Sequence, residues 1–289
     1  MKKTNHSGHF EGAQVEPKGG VRFLEVGANR IACFDRGEGD ALLLIHGMFG
    51  DHLDWEPVLE PLSRRHRVVA PDLPGFGDSE KPDCEYTEEI FTSALEGLLS
   101  ELEIRRVTVV GNSFGGLLAQ IFALRYPERI DRLILVGSGG FRRHSTEEGR
   151  TARERFNEQT IRAMTPELIR QIFAPVFARQ SPGRERYIEK QIGKLARPDY
   201  PAYARAIERS IQLALRLYTL DRLAEIRVPV LLLWGEKDLP VPLAEAQLAL
   251  AQLRYGRLEV FAGCGHAPQL EDPAAFVRAV EAFTQDGVR

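Results

Sequence analysis

Gly111-Asn112-Ser113-Phe114-Gly115 sets a serine between two glycines, directly after the apolar stretch RVTVVG (106–111) and ahead of the helical segment LLAQIFALRYP (117–127). In that context G-x-S-x-G is a sharp strand-to-helix turn that lifts the hydroxyl above a sheet. Its neighbours must be small, because side chains at Gly111 and Gly115 would collide across the turn. The plainer alternative is a glycine-rich turn in which the serine caps the helix. A serine hydroxyl is a weak nucleophile until a base takes its proton, and imidazole, with an ordinary pKa of ~6.5, suits that task near neutrality. Of the seven histidines, His6 and His9 lie in the N-terminal tail, His66 in a charged RRHR stretch, His144 in an arginine-rich segment and His52 at a helix start. His46 is embedded in His-Gly-Met-Phe-Gly, a turn with a different task. His266 remains, in the loop Gly263-Cys264-Gly265-His266-Ala267-Pro268 after the strand-like RLEVFA, where a sheet edge would hold it above Ser113.

The imidazole needs a carboxylate to orient it and to stabilise its positive charge. Asp238, in Trp234-Gly235-Glu236-Lys237-Asp238 after VPVLLLWG, meets that need, with Glu236 as local competitor. The chain order serine, acid, histidine favours Asp238. Attack on a carbonyl creates an oxyanion that requires preorganised N–H donors. The amide of Phe114, at the positive end of a helix, is one, and the amide of Met48, after the strand ALLLI, is the other. Because the donors are backbone groups, side chains here are free to line a pocket; Met48, Phe49, Phe114 and Ala267 are the expected substrate contacts. The chemistry is acyl transfer: Ser113 attacks, His266 accepts and returns the proton, and water releases the acid.

Positioning these loops requires strands covered on both faces. ALLLI (41–45), RVVAP (67–71), RVTVVG (106–111), RLILVG (132–137) and VPVLLLWG (228–235) are continuous apolar runs of that kind, preceded by the β-like VRFLEV and RIACFDRG. Helical segments fall near 54–64, 87–103, 114–125, 242–253 and 273–284, so strand and helix alternate and the class is α/β. The alternation lapses once, between 140 and 220, where the pattern is helix-only and the segment 141–222 carries 17 Lys+Arg against 10 Asp+Glu. An insertion fits this better than a second domain, since alternation resumes at Val228. The expected organisation is a loose tail over 1–20, a core over 21–139 and 221–289, and a helical insertion over 140–220.

Composition narrows the partners. In 289 residues, 43% hydrophobic and 27% charged content match an ordinary globular chain and exclude a disordered or coiled-coil one. No apolar run approaches the ~18 residues of a membrane helix, and the start of the chain has no hydrophobic segment, so a cytoplasmic protein is expected. Three scattered cysteines form no CxxC pair, which points to neither a disulfide framework nor a zinc site. The basic insertion lacks the aromatic platforms or module of a nucleic-acid binder and reads as a solvated helix face.

These residues resemble the α/β-hydrolase superfamily, in particular its small capped serine hydrolases. The likeness runs over about 22–286 and includes His46-Gly47 with Trp55, the loop Asp72-Leu73-Pro74-Gly75-Phe76-Gly77-Asp78-Ser79, and the run Gly265 to Pro273. It implies an α/β-hydrolase fold with a mostly parallel eight-stranded sheet between helix layers. It also implies a helical cap inserted after the sixth strand, no cofactor or metal, a small-molecule ester as substrate, and a monomer or homodimer. Asp72 is structural in this pattern. Serine at 113 separates the chain from related epoxide hydrolases and dehalogenases, which carry aspartate there. The Gly-Asn-Ser-Phe-Gly-Gly elbow is similar to that of meta-cleavage-product hydrolases, which split carbon–carbon bonds in vinylogous diketones. The chain departs from them at Met48-Phe49 and at Ala267, where they often have a Gly-Pro-Gly-rich loop and a tryptophan. These departures do not exclude that chemistry, because cap residues such as Arg142, Arg143 or Arg179 could still hold a substrate carboxylate. Carboxylesterase is the first expectation, carbon–carbon hydrolase the alternative, and a small-molecule receptor on the same fold a third.

Overall fold

A computed structural model describes residues 20–285. The N-terminal tail expected over 1–20, with His6 and His9, therefore lies almost wholly outside the described residues. Eight strands form one sheet: β1 (Val21–Val26), β2 (Asn29–Arg36), β3 (Ala41–Ile45), β4 (Arg67–Pro71), β5 (Val107–Asn112), β6 (Ile130–Val136), β7 (Val230–Gly235) and β8 (Gly256–Phe261). Their spatial order is β1-β2-β4-β3-β5-β6-β7-β8. β2 pairs antiparallel with β1 and β4, and every later pairing is parallel.

Parallel pairing forces crossovers, and the helices supply them on both faces. They are α1 (Glu56–Ser63), α2 (Glu88–Glu101), α3 (Phe114–Arg125), α4 (Thr146–Arg155), α5 (Glu158–Arg162), α6 (Pro166–Phe173), α7 (Pro182–Lys194), α8 (Tyr200–Ala214), α9 (Leu243–Gln252), α10 (Pro268–Glu271) and α11 (Pro273–Gln285). With helices on both sides, the central strands have no wet face: all six residues of β5 and all six of β7 are buried. One core cluster joins Leu43, Ile45, Val109 and Leu135 to α2 and α3, while another joins Leu42, Leu44, Val110 and Leu233 to α1 and α11. Alternate residues of one apolar run thus feed two cores.

Helices α4 to α8 form the insertion between β6 and β7, the cap. The strand order reverses at β3, which has β4 on one side and β5 on the other. Loops leaving the carboxyl ends of β3 and β5 therefore diverge to opposite faces and open a crevice between them. His46–Gly50 and Ser113 lie on those two loops.

Candidate active site

Ser113 occupies a backbone conformation that serine rarely adopts, φ 55° and ψ −114°. The turn is imposed by its surroundings: Ser113 N–H donates to the Val136 carbonyl at 2.9 Å, and Ser113 C=O accepts from Gly139 N–H at 3.2 Å. Its hydroxyl makes no capping bond to α3, so the side chain is not spent on ending the helix. A Cβ on Gly111 would fall 2.4 Å from the Gly115 carbonyl, the collision expected across the turn. Gly115 has a different neighbour: its Cβ would fall 2.2 Å from the Ile45 carbonyl, so glycine there lets α3 press on the end of β3. That closeness brings Gly47 against Ser113, where an added Cβ would lie 3.4 Å from the serine Cβ.

His266 reaches the site from the loop after β8, and its Nδ1 lies 3.0 and 2.8 Å from the two carboxylate oxygens of Asp238. Asp238 is buried and accepts a second bond from Val241 N–H at 2.9 Å. A carboxylate on Nδ1 holds the proton there and leaves Nε2 as the basic nitrogen. Gly137, at the end of β6 with φ 49°, makes room, since a Cβ would sit 2.9 Å from both Asp238 Oδ2 and His266 Nδ1. Glu236 is engaged elsewhere, accepting from Gly263 N–H at 2.8 Å. His46 is a brace: Nδ1–H donates to the Gly47 carbonyl at 2.8 Å and Nε2 accepts from Leu73 N–H at 3.1 Å. Burial lowers its pKa and favours the neutral ring that such bridging requires. Asp72 receives His52 N–H at 2.7 Å, the His52 ring at 2.8 Å and Asp78 N–H at 2.7 Å, so it ties loops together.

Ser113 and His266 share a cavity of about 210 Å³ with Met48, Phe49 and Ala267. The Phe114 side chain is not brought to it. The first turn of α3 rotates that ring into the core, 5.4 Å from Phe91 and 6.4 Å from Phe76 between centroids. Cap residues complete the wall, chiefly Ile172, Phe173, Val176, Phe177 and Tyr187. The sequence does carry a signal for them: apolar residues at 169, 172, 173, 176 and 177 form one helical stripe. Asp54 also lines the cavity, and no local pattern in the sequence marks it.

Arg142, Arg143 and Arg179 are committed away from this cavity. Arg142 pairs with Glu148 and Glu245, Arg143 pairs with Asp221 and lies over the Tyr218 ring, and Arg179 donates to the carbonyls of Ala262 and Gly263. The charge of the insertion is largely consumed in such pairs at its surface.

A buried ionic cluster docks the cap on the β3 loop. Lys190 of α7 bonds Asp51 at 2.7 Å and also Asp54, while Lys194 bonds Asp51 at 2.9 Å and the Phe49 carbonyl at 2.6 Å. Tyr203 donates to the same carbonyl at 2.9 Å, fixing a residue whose φ is 64° and which follows the Met48 amide. Burial alone would raise the Asp51 carboxyl, but the two ammonium groups outweigh it and hold it well below the usual carboxylate range. The stability this carboxylate contributes is therefore fully present above the ordinary carboxylate pKa of ~3.9 and is lost as pH falls through the lower folded-state value. Lys194→Met should destabilise the protein by about 3 kcal/mol, the low end for a broken buried pair because Lys190 remains. Urea unfolding measures this; a change under about 0.5 kcal/mol would show that the pair is solvated. The gap in unfolding free energy between wild type and Asp51→Asn should narrow as pH drops from about 7 to 3.

Among the described residues no cluster of three or more His, Cys, Asp or Glu is placed to hold a metal, and no helix is long and apolar enough to cross a membrane.

Comparison with known proteins agrees with this architecture. The alpha/beta hydrolase fold family matches residues 40–273. The 2-hydroxy-6-oxo-2,4-heptadienoate hydrolase of Pseudomonas putida is 34% identical over 277 residues, which span 91% of this chain and 95% of that one. A thermophilic esterase from Thermogutta terrifontis superposes with a TM-score of 0.80 at 27% identity, covering 92% of this chain and 98% of the esterase. The meta-cleavage product hydrolase CumD of Pseudomonas fluorescens IP01 does so with a TM-score of 0.78 at 27% identity over the same shares. The chain belongs to the α/β-hydrolase family.

Proposed function

We propose that the protein is a carboxylic ester hydrolase in which Ser113 is the nucleophile, His266 the general base and acid, and Asp238 the residue that orients the imidazole. The observation that carries this is the cavity. Its wall is mainly aliphatic and aromatic, and its one carboxylate, Asp54, is already paired with Lys190, so the wall suits a neutral acyl group. His266 Nε2 takes the Ser113 proton as Oγ adds to the ester carbonyl, and the amides of Met48 and Phe114 hold the oxyanion. Collapse expels the alcohol, which receives the proton from His266, and leaves an acyl-serine. Water, deprotonated by the same imidazole, then releases the acid. Three unpaired cysteines fit a reducing, cytoplasmic setting.

A carbon–carbon hydrolase is the second reading, favoured by the Pseudomonas relatives, which include a 2-hydroxy-6-oxo-2,4-heptadienoate hydrolase and a 2-hydroxymuconate semialdehyde hydrolase. It would use the same triad but needs a cation for the dienoate carboxylate. Among the described residues, no lysine or arginine lines the Ser113 cavity to supply it. A panel of p-nitrophenyl esters of increasing acyl length beside a vinylogous diketone tests both readings. kcat/KM should rise about 4-fold per methylene until the cavity fills and then fall, and the best ester should exceed the diketone by about 100-fold or more. Preference for the diketone by a similar factor would reverse the assignment. Single-turnover kinetics with no further cycles would point to a receptor.

A further inference from the structure

The loop that carries His266 is gripped by the cap. His266 N–H donates to the Val176 carbonyl at 2.8 Å. The buried carboxylate of Glu271 accepts from Gly265 N–H on Oε1 at 2.8 Å, and from Ala178 and Arg179 N–H on Oε2 at 2.9 and 3.0 Å. Arg179 returns two bonds from its guanidinium, to the Gly263 carbonyl at 3.1 Å and the Ala262 carbonyl at 2.5 Å. The two segments lie so close that a Cβ on Gly265 would fall 2.7 Å from both Ala178 N and the Val176 oxygen. Val176 and Phe177, in the clasped stretch, are walls of the Ser113 cavity.

Three N–H donors converging on one carboxylate form charge-assisted bonds, stronger than neutral ones. They come from chain segments some 90 residues apart, Ala178 being 93 positions from Glu271. The inner wall of the cap and the main chain at 265 and 266 must therefore move together. On the other side, the imidazole is fixed by Asp238, which belongs to the loop after β7. The ring is thus suspended between a carboxylate of the core and a backbone anchored to the cap.

We infer that Glu271 is a positioning residue for the histidine: by locking residues 176–179 of the cap onto Gly265 it sets the seat of the imidazole over Ser113. A seated cap then becomes a condition of proton transfer. The inference rests on the reading of Ser113 and His266 as nucleophile and base. Glu271 touches no reacting atom. A carboxylate that served stability alone would cost melting temperature when removed, whereas a positioning one costs turnover in molecules that are folded, since small displacements of a base are expensive.

The test is Glu271→Gln and Glu271→Ala in the full chain, with p-nitrophenyl acetate turnover normalised to burst-titrated sites and with the rate of fluorophosphonate labelling. Gln keeps one acceptor oxygen and turns an amide against the other donors; Ala keeps none. kcat per titrated site should fall about 10-fold for Gln and about 100-fold for Ala, with KM within about 3-fold and labelling slowed to match. Arg179→Met removes the two guanidinium bonds on the far side of the clasp and a 3.8 Å pairing with Asp272, and leaves the Glu271 bonds in place. It should fall between wild type and Glu271→Gln, and it keeps the test open if the Ala variant fails to fold. Unchanged kcat per site in Glu271→Gln and Arg179→Met overturns the inference, as does a loss confined to KM. The underlying reading fails by a different result, a Ser113→Ala variant that still turns over ester and still labels.

Discussion

Ser113→Ala will reduce ester turnover by about 10⁶-fold and remove fluorophosphonate labelling, while thermal unfolding stays within about 0.5 kcal/mol of wild type. The first expectation follows from the cavity, where Ser113 lies with His266 beneath the cap. The second follows from what the hydroxyl does not do. It caps no helix turn, and the bonds that hold the turn run through the Ser113 backbone N–H and C=O, which alanine keeps. Alanine at φ 55° carries the same backbone strain as serine, so its removal of Oγ isolates chemistry from folding. Ser113→Gly gives the complementary measurement: equally inactive, but more stable than the alanine variant because glycine adopts positive φ without penalty. Labelling of the alanine variant at the wild-type rate would place the nucleophile elsewhere.

How far the sequence revealed this molecule depends on the range of the forces involved. ALLLI and RVVAP coincide with β3 and β4 because a strand covered on both faces favours an unbroken apolar run, so such strands are written in hydropathy. The serine turn was legible for a related reason, since glycine at 111 and 115 answers backbone contacts within a few ångströms. Phe114 marks where local reasoning stops. Adjacency to the serine placed its amide correctly at the start of α3, but the direction of its ring is decided by the packing of Phe76 and Phe91. The cap was legible as helical and basic, not as a docking element. Lys194 and Asp51 are separated by more than a hundred residues, and only the folded chain joins them. The arginines of the insertion failed as guides to a substrate anion because sequence counts charges without showing which are already paired.

Asp238→Asn should lower kcat by about 10⁴-fold with KM little changed, and it should do so without opening a cavity. In the wild type the carboxylate accepts hydrogen bonds from His266 Nδ1–H and from Val241 N–H, at 2.8–3.0 Å. An asparagine has one acceptor oxygen for two donors. If that oxygen stays with Val241 N–H, the amide nitrogen faces the imidazole and stabilises the tautomer with its proton on Nε2, which cannot accept the proton of Ser113. Labelling by fluorophosphonate should slow by a similar factor, because the first proton transfer is affected as much as the last. The protein contains its own control in the buried pair His52 and Asp72, which has the same 2.8 Å contact but serves loop architecture. Asp72→Asn disturbs three bonds that close the loops 51–54 and 72–79, so its cost should register in urea unfolding and leave kcat per titrated site within about 10-fold. A 10⁴-fold loss from Asp72→Asn, or near-normal turnover by Asp238→Asn, would reverse the roles assigned to the two carboxylates. Glu236→Gln decides the remaining possibility: Glu236 braces Gly263 rather than the imidazole, so this variant should keep full kcat.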